Sequence, residues 1–246
     1  MLSLPKLIGH RGVKNLAPEN TLDSIELAHK LGLKWIEVDV KITKDKIPII
    51  LHDDSLDRTT NSNGLVIDFL YEEIKALDAG SFFFNYKTNI FIPTLEDIFN
   101  FCIKHKMGIN IELKPNKGFE IDNVKAISKV ISKSQDLNNF YFSSFDLKSL
   151  IEMKKIFPNF HYGLLVDNFE NTCSLQEYLK ICNNYKFFNF GLNKKIINNE
   201  IISEIKKNNL IITTYSDKNI KLIEANDLWS LGVTSIFIDD PSYFEI

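Results

Sequence analysis

Several things are scarce in this sequence, and each shortage removes a class of protein. Only three cysteines, Cys102, Cys173 and Cys182, stand in 246 residues, an odd number with no CxxC spacing. That argues against a disulfide framework and points to reduced thiols in a reducing compartment. Neither sign of charge dominates: the formal net charge is −3. No global field attracts nucleic acid or an anionic membrane, and no nucleic-acid partner is expected. Any phosphate must therefore be held by a few local cations. No apolar run is long enough to span a bilayer. Residues 1–12 lack a basic stretch followed by a long apolar one. Neither a signal peptide nor a stable membrane anchor is expected, and the protein reads as cytoplasmic. No low-complexity segment or Pro/Gly-rich linker divides the chain.

What is present is ordinary in bulk, 44% hydrophobic and 25% charged, and long enough to bury one large core. The pattern is a short apolar run followed by a helical one. The runs are 6–9, 35–42, 108–113, 140–143, 162–166, 187–192, 210–214 and 235–238. Several are nearly continuous β-branched or aromatic hydrophobics, as strands buried on both faces are. Between them, 21–31, 94–106, 119–133, 147–157, 174–183, 199–208 and 218–231 carry helical spacing. In the first, Leu22, Ile25, Leu27, Ala28 and Leu31 form one stripe, Asn20 is the expected cap and Gly32 the expected stop. Eight strand–helix repeats predict an α/β fold, a (β/α)8 TIM barrel forming a single domain over residues 1–246. One stretch breaks the rhythm. Residues 47–52 read as an extra short strand, and 53–92 are too long for a plain βα loop. They predict a small inserted cap subdomain. Its aromatics, Phe82, Phe83, Phe84, Tyr86 and Phe91, are expected for the most part to pack the insertion's own core.

The informative residues are polar ones inside or just beyond apolar runs. Glu37 and Asp39 are two apart on a strand and face the same side. Two carboxylates inside a barrel repel each other and are costly to desolvate; a cation removes both problems. Glu112 ends the third barrel strand, with Lys114 on its face. His10 and Arg11 follow the first strand, and His52 ends the extra one. Barrel active sites lie at strand C-terminal ends, where all of these fall. Three carboxylates without cysteine suit a hard divalent cation, Mg²⁺ or Ca²⁺, better than zinc. Carboxylates, cation, Arg and Lys together meet the needs of a phosphoryl oxygen gaining negative charge. Two imidazoles can supply one base and one acid. His29, His105 and His161 lie on or beside ordinary elements and read as structural.

These pieces resemble a known family. His10-Arg11-Gly12, 17–21 (Ala-Pro-Glu-Asn-Thr), Glu37-Val38-Asp39-Val40, Leu51-His52-Asp53, 56–60 (Leu-Asp-Arg-Thr-Thr), 92–96 (Ile-Pro-Thr-Leu-Glu), Ile111-Glu112-Leu113-Lys114 and the terminal run 232–241 are similar to bacterial cytoplasmic glycerophosphodiester phosphodiesterases over nearly the whole chain. The resemblance implies a barrel with an insertion after its second strand. It implies Glu37, Asp39 and Glu112 as metal ligands, Arg11 and Lys114 as phosphate binders, His10 as general base and His52 as general acid. The implied reaction splits a glycerophosphodiester into sn-glycerol 3-phosphate and an alcohol. The nucleophile is either the glycerol 2-hydroxyl, through a cyclic phosphate, or water. The chain departs from the family on the seventh barrel strand, where 213–216 read Thr-Thr-Tyr-Ser. The family's Trp, which walls the glycerol site, is missing, and Tyr215 stands two positions later. Two other readings stay open: a lysophospholipase D-like relative acting on lysophospholipids, and an inactive phosphate-binding module. The latter requires a broken residue set, whereas this one is complete. Both a monomer and a homo-oligomer are open.

Overall fold

A computed structural model describes residues 2–133, 139–169 and 173–245. In chain order the elements are β1 (Leu7–Gly9), α1 (Leu22–Lys30), β2 (Trp35–Ile42), β3 (Pro48–Ile50), α2 (Tyr71–Ile74), α3 (Ser81–Phe84), α4 (Leu95–His105), β4 (Gly108–Leu113), α5 (Glu120–Lys133), β5 (Phe140–Ser144), α6 (Leu147–Ile156), β6 (Tyr162–Val166), α7 (Leu175–Tyr185), β7 (Asn189–Asn193), α8 (Asn199–Lys207), β8 (Ile211–Tyr215), α9 (Leu222–Leu231) and β9 (Ser235–Ile238). Eight strands pair in parallel in the order β1-β9-β8-β7-β6-β5-β4-β2, and β1 pairs with β2 to close the barrel. All eight predicted runs are its strands. The extra strand, β3, is antiparallel to β2, with Val40 opposite Ile50.

The continuous burial of β2 shows why its sequence does not alternate cleanly. Ile36, Val38 and Val40 pack with the helices in the main core. Trp35 belongs to a second cluster with Ile8, Tyr141 and Phe237. Glu37, Asp39 and Lys41 share Trp35's side of the strand, and all are buried. The strand is therefore apolar outward and polar inward above a small hydrophobic plug.

Helix ends follow their cap residues. Thr94 and Asp97 form a capping box on α4, as do Ser174 and Glu177 on α7. Each such cap contributes about 1 kcal/mol. The expected cap of α1 is corrected. Thr21, not Asn20, caps it by accepting from the Ser24 amide. Asn20 has φ 58° and turns its side chain elsewhere. Gly32 does follow the helix with φ +92°, as the stop requires.

Residues 53–92 hold short helical turns and pack with β3 around a small core: Ile49, Leu51, Leu56, Val66, Ile74, Ala79 and Ile92. The aromatic prediction fails here. Phe82, Phe83, Phe84, Tyr86 and Phe91 are all exposed, Phe82 at 60% and Tyr86 at 63%. Aliphatic residues fill the small core, and three of the rings pack on one another at the surface: Phe83 edge-on to Phe84, which stacks on Tyr86.

Candidate active site

Register sets the frame. Glu37 aligns with Asn110 and Asp39 with Glu112 across β2 and β4. One oxygen from each of Glu37, Asp39 and Glu112 lies within 4.8 Å of the others, and all three residues are buried. Burial, then the neighbouring carboxylates, push Glu37 well above the usual carboxylate pKa. Its Oε1 has no partner among the described residues. Asp39 moves the other way. Burial works against its charge, but Lys114 and Arg11 overcome it. Lys114 Nζ lies 3.3 Å from Asp39 and 3.1 Å from Glu112. Asn20 donates from Nδ2 to Asp39 Oδ2 at 2.8 Å, and its Oδ1 accepts from the Asp39 amide at 3.3 Å.

Arg11 needs a left-handed backbone, φ 51°, to sit where it does. Its amide donates to Glu37 Oε2 at 3.0 Å, its Nε lies 3.3 Å from Asp39, and its Nη1 donates to Glu19 at 2.7 Å. Gly12 follows with φ +83°, and a Cβ there would strike Ser24. Ser24 ties the turn down, accepting from the Val13 amide and donating to the Arg11 carbonyl.

Both histidines are held by carboxylates. His10 Nδ1 donates to Asp239 Oδ1 at 2.7 Å, which leaves Nε2 facing Glu37 Oε2 3.9 Å away. A carboxylate only accepts, so this contact fixes the tautomer. Burial outweighs the help from Asp239 and lowers the His10 pKa to about 4. His52 Nδ1 meets Asp53 at 2.6 Å. Its pKa is also lowered, by burial first, with Asp39 opposing. Arg58 bridges Asp53 and Glu19, at 2.6 Å through Nε and 2.8 Å through each terminal nitrogen.

The cleft these residues line measures about 220 Å³ and includes His10, Arg11, Glu37, His52, Glu112 and Lys114. Asp39, the seventh predicted site residue, is buried and not among the lining residues, and its carboxylate forms ion pairs with Arg11 and Lys114. His29, His105 and His161 are not among its lining residues. Sequence reasoning missed four others. Asp239 carried a usable signal, since it ends the last strand as Glu112 ends its own. Asn20 and Glu19 looked like a helix entry, and Arg58 is distant in sequence. Tyr215 also lines the cleft, beside Phe145, Leu165 and Phe237. Positions 213 and 215 share a face of β8, so Tyr215 stands one step nearer the mouth than the missing Trp. Its ring meets Phe145 edge-on at 5.6 Å, and its hydroxyl reaches Val166 O at 3.2 Å.

Residues 10–243 match the glycerophosphoryl diester phosphodiesterase family. The chain belongs to that family. It is 34% identical over 242 residues to a glycerophosphodiester phosphodiesterase of Caldanaerobacter subterraneus, covering 96% of this chain and 94% of the relative. It is 32% identical over 243 residues to one from Bacillus altitudinis, covering 97% and 96%. Among solved structures, a phosphodiesterase of Oleispira antarctica in complex with the product sn-glycerol 3-phosphate superposes with a TM-score of 0.87 at 32% identity, covering 96% of this chain and 93% of that one. As a member of the family, the chain has a buried acidic triad able to hold a cation. No helix among the described residues is long and apolar enough to cross a membrane.

Proposed function

We propose that this chain hydrolyses glycerophosphodiesters to sn-glycerol 3-phosphate and an alcohol, using one divalent cation, Mg²⁺ or Ca²⁺. The observation that carries the reading is the cleft itself: a triad of buried carboxylates and two carboxylate-held histidines at one barrel mouth. The donors fit a hard cation. They are all oxygens, Glu37 Oε1 is unpartnered, and the set has one more negative charge than Arg11 and Lys114 offset. A divalent ion turns that excess into a single positive charge, which matches a phosphodiester anion. Held by Glu37, Asp39 and Glu112, the ion would supply Lewis-acid stabilisation of the phosphoryl oxygens.

The remaining roles follow from the chain's own groups. Arg11 and Lys114 line the cleft and bind the phosphate. His10, deeply buried and neutral at pH 7, takes the proton from the attacking oxygen at Nε2 as the new P–O bond forms. That oxygen is water, or it is the glycerol 2-hydroxyl, in which case the alcohol leaves a cyclic phosphate that water then opens to sn-glycerol 3-phosphate. His52, whose side chain is 28% exposed against 12% for His10, recharges from solvent and gives its proton to the departing alcohol oxygen. Asp239 and Asp53 hold the two rings. Residues 53–92 form a cap that closes the cleft's rim through Arg58. The free thiols Cys102, Cys173 and Cys182 support a reducing, cytoplasmic setting.

A second reading has one observation in its favour. The exposed rings of Phe82 and Phe83 lie beside Lys14, Glu19 and Arg58 in a cleft that adjoins the catalytic one and shares Lys14 with it. An apolar lip of this kind suits a lysophospholipid. Release of sn-glycerol 3-phosphate from glycerophosphocholine and glycerophosphoethanolamine tests the first reading. Turnover of a lysophospholipid alone would replace it with the second.

A further inference from the structure

Part of the barrel interior below the cleft is polar without evident reason. Parallel register aligns Glu37 with Asn110 and Asn110 with Tyr141. In the next row it aligns Asp39 with Glu112 and Glu112 with Ser143. Residues in register on neighbouring strands point to the same side. Strands β2, β4 and β5 therefore present two polar rows to the interior. Asn110, Tyr141 and Ser143 are 0% exposed. Both amide atoms of Asn110, the hydroxyls of Tyr141 and Ser143, and Oε1 of Glu37 have no hydrogen-bond partner among the described residues. Glu37 and Glu112 are close enough to act electrostatically on the Tyr141 hydroxyl.

Burying a polar group without a partner is costly, and Leu, Phe and Ala would fill the same positions more cheaply. The rest of the interior avoids the cost. Asn189 and Thr213 bond each other, and Ser235 donates to the Pro5 carbonyl. Among the described residues of the barrel strands, the unsatisfied side-chain groups fall on the three strands that carry or adjoin the acidic triad. Tyr141 donates, Ser143 and Asn110 donate and accept, and Glu37 accepts. Together they offer the two to four partners that a buried water requires.

We propose that Asn110, Tyr141 and Ser143 are positioning residues, a hydrogen-bonding floor that holds Glu37 and Glu112 through buried water in the orientation that receives the cation. The inference rests on the cation reading of the triad. Groups that orient metal ligands from behind change affinity by about 10–100-fold when removed.

Calorimetric titration of the metal-stripped full chain with Mg²⁺, and separately with Ca²⁺, tests it. Tyr141→Phe should weaken cation binding by about tenfold or more. Ser143→Ala should weaken it less, through Glu112 alone. The melting temperature of stripped Tyr141→Phe should not fall, because the lost hydroxyl has no protein partner. Affinities within twofold of wild type in both variants would overturn the floor. Should Tyr141→Phe fail to fold, Ser143→Ala decides alone by the same criterion. A wild-type chain that takes up neither cation overturns the cation reading, and the floor with it. Wild-type binding with unaffected variants overturns the floor only.

Discussion

The carboxylate behind each histidine decides which ring nitrogen meets the cleft. Asp239 accepts a hydrogen bond from His10 Nδ1–H at 2.7 Å, so Nε2 is left to act. Asp239→Asn presents an amide that can donate to Nδ1 and stabilise the wrong tautomer. Turnover should fall by about two orders of magnitude or more, within the range expected of acid–base groups, with KM little changed. Steady-state kinetics on glycerophosphocholine checks this, and equal kcat in the variant counts against the base assignment. Tyr215 gives the opposite signature. It walls the cleft and packs edge-on against Phe145, so Tyr215→Ala should raise KM more than it lowers kcat. Glu37 adds a third residue-scale expectation. Burial and its acidic neighbours raise its pKa, and a carboxylate must be deprotonated to ligate a cation, so cation binding should strengthen as pH rises. Cation titration in two buffers of different ionisation heat should reveal proton release.

Among elements, the informative join is between the start of the insertion and the turn after β1. Arg58 links Asp53 to Glu19, and Glu19 links on to Arg11. Against the cost of burial, Arg58 and Arg11 lower the Glu19 pKa to about 2. A depressed carboxylate stabilises the fold above its unfolded pKa, and that stabilisation is lost as pH falls through the folded value. Arg58→Ala should therefore cost about 1–2 kcal/mol at pH 7, discounted for the exposure of Arg58. The difference from wild type should shrink between about pH 4.5 and 2. Urea unfolding across that window measures it; a gap that does not narrow at all by pH 2 would contradict the assignment, since only the pairing of Arg58 with Asp53, held lower still, should survive there. The turn itself depends on Gly12, whose φ of +83° and contact with Ser24 leave no room for a side chain.

Over the whole molecule, period and strand-end placement made most of the architecture legible. All eight barrel strands were readable because each is apolar on its outer face, and the inward polar residues stood out against that background. The seven candidate site residues stood out for the same reason. What escaped depends on three-dimensional neighbours. Asn20 looked like a cap because Asn commonly is one, yet its left-handed backbone turns it onto Asp39. The surface aromatics of the insertion looked like core because large rings usually are buried, whereas aliphatic residues already fill that small core. Tyr215 looked displaced by two positions, which on a strand keeps the same face.

The central claim is that the acidic triad makes this cleft a cation-dependent phosphodiesterase. Its most direct test is sn-glycerol 3-phosphate release by protein stripped with EDTA, then supplied with Mg²⁺ or Ca²⁺. Release should stop on stripping and return with at least one ion in the wild type, but not in Glu37→Gln. Release that continues unchanged after stripping would contradict the account.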